Sequence, residues 1–563
     1  MKKLTKILAL MLVVALVLSL VACGGGDSKK NAHKIDPNAP LSGSLTIFGN
    51  IASTEGEISV LDEEILKGFK EKYNVDVTIK GASQSGYLEQ LQLAIASGEF
   101  PDVALFPTTT HETYIEACQK GKVVALDDYL FEENCPNLMK GTYPTAWEGV
   151  KPLDDGKIYA IPRTSITRNE GVVVRADWLK NVGMGDILDR TCHEVSAEEF
   201  KEILKRFTLD DPDNNPATKT LGYSCWLDGN KQFGPLEFTR GFYGDYGWYE
   251  YKGDDYKYMF PMYSQKTKIF KNEMQYTRDL QTAGYLSPDG PTFDASSKVN
   301  ELFKTQKIGI DTAFVSAVAS DEKSIIEANG GIPNPEGNYV DYIFAKDASG
   351  KVAGNGYYKP MWGQWVVFES CDNPNKFIKF CDYMLSDEVW TLVANGRENL
   401  TYFMDNGVRT PIEVPEGERA RSCQFPSGIV RKAGDPDYFA LRGISPVTEH
   451  MRPLVKENFY IGQATQVDSL DNGFNPAIAS DEKFSLAQEE LRQAVSNICA
   501  GKAEVSSYDA ALAKWYKAGG KTYVEQMNKY IAENQKGENA PKVEKPLDPK
   551  EWNKAIEAAR NAG

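Results

Sequence analysis

The strongest constraint on the fold of this 563-residue chain is an alternation of strand and helix patterns near its start. Two segments, Ser44–Phe48 and Val75–Ile79, are predicted strands, and Glu57–Tyr73 between them carries apolar residues at helical spacing. A predicted helix over Gly86–Ala96 and a short apolar strand, Val103–Phe106, continue the series. Strands that alternate with helices are typical of a parallel sheet, so the sequence predicts an α/β fold.

Polar loops follow the first and third predicted strands. Open parallel sheets bind ligands at the carboxyl ends of their strands, where loops converge. Candidate ligand contacts at those ends are Asn50, Phe106, Thr108 and Thr109. Asp102, at the start of the third strand, is a weaker candidate because a carboxylate beside a proline is as easily a turn or cap acceptor.

A second α/β pattern begins near Gly171 and indicates a further lobe. The chain is longer than a usual single domain, so two or more lobes are expected. The remaining predicted strands are Gly171–Val174, Lys307–Ile310 and Met361–Phe368, and the remaining predicted helices start near Asp177 or cover Ala197–Phe207, Pro374–Leu385, Leu486–Ile498, Tyr508–Lys517, Thr522–Ile531 and Trp552–Ala559.

The first 22 residues have the features of an export signal. A cationic start precedes the apolar segment Ile7–Val21, and Cys23 directly follows the small residue Ala22. The apolar segment is shorter than the roughly 20 residues of a permanent membrane-spanning helix. We therefore predict a signal peptide at 1–22, a lipid on Cys23 and a flexible linker to residue 40. The alternative is an ordinary secretory signal in which Cys23 is incidental.

Charge and cysteine spacing exclude several classes of protein. The formal net charge of −16 disfavours binding to nucleic acid or to anionic lipid surfaces. Eight widely spaced cysteines follow Cys23, and no C-x-x-C spacing occurs among them. The export signal permits disulfides, but this spacing fits neither a dense disulfide scaffold nor a zinc site. We expect buried free thiols and predict no specific bridge.

Six sequence blocks resemble one known family. The blocks are Leu93–Val103, Gly121–Tyr129, Tyr159–Pro162, Val174–Lys180, Arg278–Gly284 and Asn373–Glu388. In this order they resemble the family 1 extracellular solute-binding proteins, the lipoprotein sugar-capture components of bacterial ABC importers, and in particular the long branch of about 500 residues. The resemblance covers most of residues 41–530.

The resemblance implies a two-lobed fold like that of type II periplasmic binding proteins, with discontinuous lobes joined by hinge strands. Hinge closure over a ligand needs only a few residues that absorb the rotation. The implied division is 41–165 with 346–396 for lobe 1, 166–345 with 397–531 for lobe 2, and 532–563 for a charged C-terminal tail with a short helix.

Aromatic side chains are the other candidates for ligand contact. Sugars present flat C–H faces, so a carbohydrate site needs aromatic platforms beside hydrogen-bonding groups. Trp226, Trp248, Trp362 and Trp365 are the candidates, and core packing is the alternative for each. Because Trp362 and Trp365 are three apart, a regular strand would turn them to opposite faces unless a bulge intervenes.

No cofactor, metal or catalytic centre is predicted. The segment Asp211–Lys219 is similar to a calcium loop of some relatives, but Pro216 replaces the turn glycine and the bidentate glutamate is absent. A solvated Asx turn is therefore the prediction there. No nucleophile, zinc or phosphate-binding motif appears.

Near the first predicted strand of the second lobe, Asp177 is predicted to cap a helix, with Trp178 in the core and Arg175 as a structural partner.

These observations predict a non-enzymatic receptor on the outer face of the cytoplasmic membrane. The resemblance implies that it is a monomer that captures a carbohydrate, an oligosaccharide, and delivers it to ABC permease subunits. Two alternatives stay open. One is an exported glycan-cleaving enzyme, because two carboxylates at a set distance suffice for that chemistry. The other is an adhesin or sensor partner that binds a glycan without transport.

Overall fold

The computed structural model describes most of the chain between residues 35 and 534. The described residues are 35–49, 58–81, 87–106, 112–142, 146, 147, 149–153, 155–164, 169–227, 236–293, 296–312, 314–355, 361–405, 408–415, 417–432, 444–471, 474 and 476–534. The predicted signal peptide, Cys23 and the C-terminal tail from residue 535 lie outside them. The described residues from Pro40 to Asn534 belong to one compact unit.

Thirteen described strands form two larger sheets and two small ones. They are β1 (Gly43–Gly49), β2 (Val75–Gly81), β3 (Val103–Phe106), β4 (Ile161–Thr164), β5 (Val172–Arg175), β6 (Glu194–Val195), β7 (Ile310–Asp311), β8 (Val340–Ala345), β9 (Gly354–Asn355), β10 (Met361–Val367), β11 (Tyr402–Asp405), β12 (Val408–Pro411) and β13 (Gln466–Val467). The first sheet has the order β2-β1-β3-β10-β4 and the second β6-β8-β5-β7. The pairs β11-β12 and β13-β9 make the small sheets.

Helices surround the sheets. They are α1 (Val60–Tyr73), α2 (Tyr87–Ser97), α3 (Glu112–Gln119), α4 (Pro136–Gly141), α5 (Ala176–Asn181), α6 (Ala197–Leu209), α7 (Leu236–Tyr243), α8 (Ile269–Thr282), α9 (Ser296–Lys304), α10 (Val318–Ala328), α11 (Asn375–Met384), α12 (Asp387–Asn395), α13 (Pro426–Ile429), α14 (Arg452–Ala464), α15 (Glu482–Cys499), α16 (Tyr508–Trp515) and α17 (Lys521–Asn534). Among the described residues, no helix combines the length and the apolar character that a membrane crossing requires.

Local sequence explains where the first helix begins and ends. The Ser59 side chain accepts a hydrogen bond from the Asp62 amide at 3.0 Å, which caps the N-terminus of α1. Asn74 ends the helix in a left-handed conformation with φ of 55°. These two caps place the predicted helix Glu57–Tyr73 at its observed position, with the start shortened to Val60.

The central strands of both larger sheets are buried on both faces, although β5 and β8 pair antiparallel rather than parallel. Every residue of β3, β5 and β8 is buried. A second apolar cluster lies around α15, α16 and α17, where the rings of Tyr263 and Trp515 stack 4.4 Å apart.

Three sequence-based expectations near the second sheet are settled by the structure. Trp178 is fully buried, as predicted. Arg175 is a structural partner, as predicted, since its Nε and Nη2 lie 2.8 and 2.6 Å from the Asp177 carboxylate. The prediction that Asp177 caps α5 is wrong, because this ion pair takes up its carboxylate and the cap position, Arg175, makes no side-chain cap bond.

The cysteines and the candidate calcium loop behave as predicted. The eight cysteines from Cys118 to Cys499 are free, and all but Cys423 are buried. In the loop, the Asn215 amide donates to Asp211 Oδ1 at 3.0 Å and to Asp213 Oδ1 at 3.3 Å. These bonds confirm the Asx turn. Within the described part of the chain, no group of three acidic, histidine or cysteine side chains could hold a metal ion.

Candidate functional site

The carboxyl ends of four strands meet at one edge of the first sheet. Strands β1, β2 and β3 run parallel, and the antiparallel β10 starts where β3 and β4 end, with Met361 opposite Thr164 and Gln364 opposite Phe106. The Tyr87 hydroxyl lies 2.7 Å from the Leu105 carbonyl and 3.1 Å from the Phe48 carbonyl, which ties β1 to β3 near this edge. The edge has the geometry of a ligand-binding mouth.

The second sheet has a corresponding edge where β5 begins and β6, β7 and β8 end. Val172 at the start of β5 lies opposite Ile343, and Asp311 at the end of β7 lies opposite Val173. Before β5, Gly171 leaves no room for a side chain, since an added Cβ would meet the Ile343 carbonyl oxygen at 2.0 Å. The backbone therefore enters this edge in close contact with β8.

Two connections join these edges. One runs from Thr164 to Val172, and eight steps of extended chain span at most about 28 Å. The other runs from the end of β8 to the start of β10 and contains the short strand β9. The first connection therefore keeps Thr164, at the carboxyl edge of the first sheet, within about 28 Å of Val172, at the matching edge of the second.

Asn169 ties these connections together on the side of the second sheet. Its amide donates to the Gly462 carbonyl at 2.8 Å, and its Nδ2 donates to Thr465 Oγ1 at 3.1 Å. The Gly354 amide donates to the Thr465 carbonyl at 3.2 Å, and a Cβ at Gly354 would meet Asn169 Oδ1 at 1.8 Å. Three distant parts of the sequence thus meet at one close-packed junction.

Half of the predicted ligand contacts fall at or beyond the limits of the described residues. Asn50, Thr108 and Thr109 lie outside them, in segments that directly follow β1 and β3. Trp362 lies in β10 at the same edge, with only its backbone described. The assignment of these four residues to a ligand site stays a prediction.

The other predicted contacts at the first sheet are buried in the core. Phe106 is fully buried, with its ring 5.4 Å from that of Tyr114. Trp365 is also fully buried, 6.3 Å from the ring of Phe377, and a Cβ on Gly49 would meet its ring at 2.5 Å. Neither side chain has exposed surface that a ligand could contact in this structure. Both pack in the core beside the edge.

The two tryptophans predicted for the second lobe are also core residues in this structure. Trp226 is 8% exposed and belongs to the main core. Trp248 is 4% exposed, and its ring lies 6.0 Å from Tyr263 and 6.1 Å from Tyr523. Gly244 and Gly247 beside Trp248 favour a loop, but the rings of Tyr263 and Tyr523 cover its side chain.

Strand β10 contains the kind of bulge that would let Trp362 and Trp365 face the same side. The register between β10 and β4 shifts between Met361 and Gln364, and Gly363 has φ of 88°. A glycine adopts such a value without steric cost. Trp362 and Trp365 are therefore released from the strict alternation of a regular strand.

A polar cluster at the edge of the second sheet was missed by sequence reasoning. Glu170 Oε2 accepts a hydrogen bond from the Tyr342 hydroxyl at 2.7 Å and one from the Val315 amide at 3.3 Å. Phe314, next to Val315, is 46% exposed. The expectation that ligands bind at the carboxyl ends of strands led to the loop after β3. Applied to the predicted strand Lys307–Ile310, it would also have pointed to the segment around Phe314.

Buried carboxylates lie close behind this cluster. Asp311 Oδ2 accepts a hydrogen bond from Asn300 Nδ2 at 2.6 Å. Burial raises the pKa of Asp311 to about 6, against the opposing effect of the Asn300 bond and the Lys304 charge. Burial and the Asp311 charge also raise the pKa of Asp321 well above its usual range. Both side chains are almost fully buried, so these acids are part of the core and not of the exposed edge.

Known proteins share both the sequence pattern and the architecture. Residues 52–389 match the family described as bacterial extracellular solute-binding protein. The polygalacturonan/rhamnogalacturonan-binding protein YtcQ of Bacillus subtilis is 22% identical over 532 residues, 92% of this chain and 97% of YtcQ. Lipoprotein LipO of Bacillus subtilis is 23% identical and covers 82% of this chain and 88% of its own.

A solved structure of similar architecture is the N-glycan transport solute-binding protein NgtS from Streptococcus pneumoniae. Its TM-score is 0.59 at 16% identity, over 88% of this chain and all of the other. The fold is therefore the α/β fold of type II periplasmic solute-binding proteins, as the sequence predicted.

Proposed function

Because the chain belongs to the family of bacterial extracellular solute-binding proteins, we propose that it captures an oligosaccharide and delivers it to the permease of an ABC importer. The observation that supports this proposal is the pair of sheet edges that two connections of the chain join. Loops at such edges converge on a ligand. The names of YtcQ, a polygalacturonan/rhamnogalacturonan-binding protein, and of NgtS, an N-glycan transport solute-binding protein, support a carbohydrate as the solute.

The proposed lobes are each built around one of the two larger sheets. Lobe 1 takes residues 41–165 and 346–396, and lobe 2 takes residues 166–345 and most of 397–531. Contacts favour moving the last boundary. Arg397 forms two hydrogen bonds with Glu64, at 2.7 and 2.5 Å, and the Gln424 amide donates to Asp62 Oδ1 at 3.0 Å. We therefore assign residues 397–425 to lobe 1.

Closure of the lobes over the ligand is the proposed mechanism. A ligand shifts the population toward the closed form only by as much as it binds that form better. We retain Asn50, Thr108, Thr109 and Trp362 as proposed ligand contacts, because their segments adjoin the edge of the first sheet. For the buried Phe106, Trp226, Trp248 and Trp365 we propose a supporting role in the core.

Anchoring through a lipid on Cys23 is the proposed means of localisation. The position of Cys23 directly after an apolar segment and Ala22 supports it, as does the similarity to a protein named as a lipoprotein. More than one acyl chain holds a soluble domain at a membrane stably. Metabolic labelling with a fatty acid should mark the wild-type chain and leave the Cys23→Ser variant unlabelled.

A thermal-shift screen tests the capture of oligosaccharides. Ligand at 100 times its dissociation constant should add about 2.7 kcal/mol to the free energy of unfolding. Scattering measured on the same samples should show a smaller radius of gyration with ligand. Steady release of new reducing ends would instead identify a glycan-cleaving enzyme, and the absence of any shift across neutral and acidic glycans would contradict the proposal.

A further inference from the structure

We propose that Phe314 is the aromatic platform of the second lobe and that it stacks on an uncharged sugar unit. This inference rests on the proposed function. Two phenylalanines of the described residues are exposed, Phe314 at 46% and Phe403 at 40%. Phe403 lies in the hairpin strand β11, whereas Phe314 follows the end of β7.

The position of Phe314 follows from the register of the second sheet. Going from Ile310 to Asp311, β7 advances past Val174 and then Val173 of the antiparallel β5. The chain after Asp311 therefore leaves the sheet at the edge where β5 begins. Since β5 begins directly after the connection from the first sheet, Phe314 lies at the edge from which a ligand between the sheets is reached.

Glu170 holds the backbone beside the ring. Its carboxylate accepts from the Val315 amide at 3.3 Å and from the Tyr342 hydroxyl at 2.7 Å. Tyr342 is fully buried in β8, so the carboxylate is fixed to the sheet. The Val315 amide begins a short 3-10 helix that leads into α10, and a negative charge is stabilised at such an N-terminus. Glu170 is therefore a positioning residue for Phe314.

The same carboxylate indicates the class of sugar. A phenyl ring offers a flat apolar face to the C–H groups of a pyranose and has no group that pairs with a charge. Because Glu170 accepts from the backbone amide next to Phe314, a uronic acid unit on this ring would bring a second negative charge to the same segment, and like charges repel. The unit that stacks on Phe314 is therefore uncharged, whatever units occupy the rest of the cleft.

The test compares the glycan affinity of variants at two exposed phenylalanines, Phe314 and the control Phe403, with that of the wild-type protein. A panel of neutral oligosaccharides and uronate oligosaccharides of matched length is first titrated against the wild-type protein by calorimetry. The tightest neutral ligand is then titrated against Phe314→Ala, Phe314→Tyr, Phe314→Leu and the control Phe403→Ala. We expect Phe314→Ala to weaken binding at least about tenfold, because a buried aromatic face is lost.

The other variants separate stacking from other effects. Phe314→Tyr keeps the flat ring and should bind within about threefold of wild type, which is a difference of well under 1.4 kcal/mol. Phe314→Leu keeps apolar bulk without the flat face and should bind weakly, and Phe403→Ala should bind as wild type does. Glu170→Gln should weaken binding less than Phe314→Ala does, without altering the circular dichroism spectrum.

Four outcomes would overturn the inference. If Phe314→Ala binds the glycan as tightly as Phe403→Ala does, Phe314 is not the aromatic platform. The same conclusion follows if Phe314→Ala loses transport in cells without losing affinity for the glycan. Tight binding of uronates alone, with loss of that binding in Phe314→Ala, would overturn the assignment of an uncharged unit. Failure of the wild-type protein to bind any glycan would instead contradict the proposed function, and this inference with it.

Discussion

The Nδ1 atom of His193 lies 3.1 Å from Oδ1 of Asp341, and both side chains are buried beside β8. Burial alone would lower the pKa of the imidazole, but the charge and hydrogen bond of Asp341 raise it to about 9. His193 therefore keeps its proton in the folded protein at neutral pH, although its ordinary pKa is 6.5. The pair makes stability depend on pH.

The sign of that dependence follows from linkage. Below pH 6.5 both the folded and the unfolded chain are protonated at His193, and the stabilisation is fully present. Between pH 6.5 and 9 only the folded chain keeps the proton, so the free energy of unfolding falls. We expect the loss from this residue to be about 3 kcal/mol across that range.

Urea unfolding of His193→Asn at pH 6 and pH 9.5 checks this expectation. Asparagine tolerates the left-handed backbone of residue 193, where φ is 47°. The difference in unfolding free energy between the two pH values should be smaller in His193→Asn than in wild type by about 3 kcal/mol, whereas His450→Asn, at a histidine whose side chain is 42% exposed, should keep it. An equal pH dependence in wild type and His193→Asn would refute the role of the pair.

A second buried pair, Asp245 and Glu273, predicts a pH effect from a carboxyl group. Both side chains are fully buried. Burial, followed by the charge of Asp245, raises the pKa of Glu273 well above its usual range, against the opposing charge of Arg240. Glu273 therefore keeps its proton to a higher pH in the folded chain than in the unfolded chain, and the stability of the protein falls as the pH rises above the unfolded value of 4.5.

The variant Glu273→Gln imitates the protonated form. At pH 8 it should be more stable than wild type, because its neutral side chain needs no proton to remain uncharged in the core. At pH 5 the two proteins should differ little. Melting temperatures at both pH values decide the matter, and a Glu273→Gln protein that is less stable than wild type at pH 8 would show that the carboxylate is charged and needed.

Local signals in the sequence located elements that carry their own caps or alternation. Ser59 and Asn74 bound α1 near the predicted limits, and the first three strands were found at their observed positions. The fold class followed from that series and from the family resemblance. Strand β8 was not found, because a short apolar segment of six buried residues has no periodicity that separates it from a helix.

The candidate site was less predictable, because burial there depends on distant parts of the chain. Trp248 lies among glycines that favour a loop, but Tyr523, far along the sequence, covers it. Trp365 fits over Gly49, a contact between two strands that only the sheet order reveals. Phe314 could have been predicted, because it follows the end of a predicted strand. The expectation that ligands bind at strand ends was applied only to the first sheet.

The free thiols predict a simple chemical result. Burial raises the pKa of Cys118, Cys135, Cys225 and Cys423 to about 12 in each case, so these thiols are protonated and unreactive in the folded protein. In a Cys23→Ser variant, a thiol reagent at pH 8 should react slowly with the native protein. After unfolding in guanidinium it should react with all eight remaining thiols. Six or fewer reactive thiols would reveal a disulfide.

The junction of Asn169 and Gly354 predicts a rescue between two substitutions. A methyl group on Gly354 would meet Asn169 Oδ1 at 1.8 Å, so Gly354→Ala should destabilise the protein by about 1–3 kcal/mol through overpacking. Asn169→Ala removes the obstacle and also the bond from Nδ2 to Thr465 Oγ1. The double variant should therefore be more stable than the sum of the single effects predicts, since residues in contact are not additive. Urea unfolding of all four proteins measures the coupling. Strict additivity would mean that the two residues do not press on each other in solution.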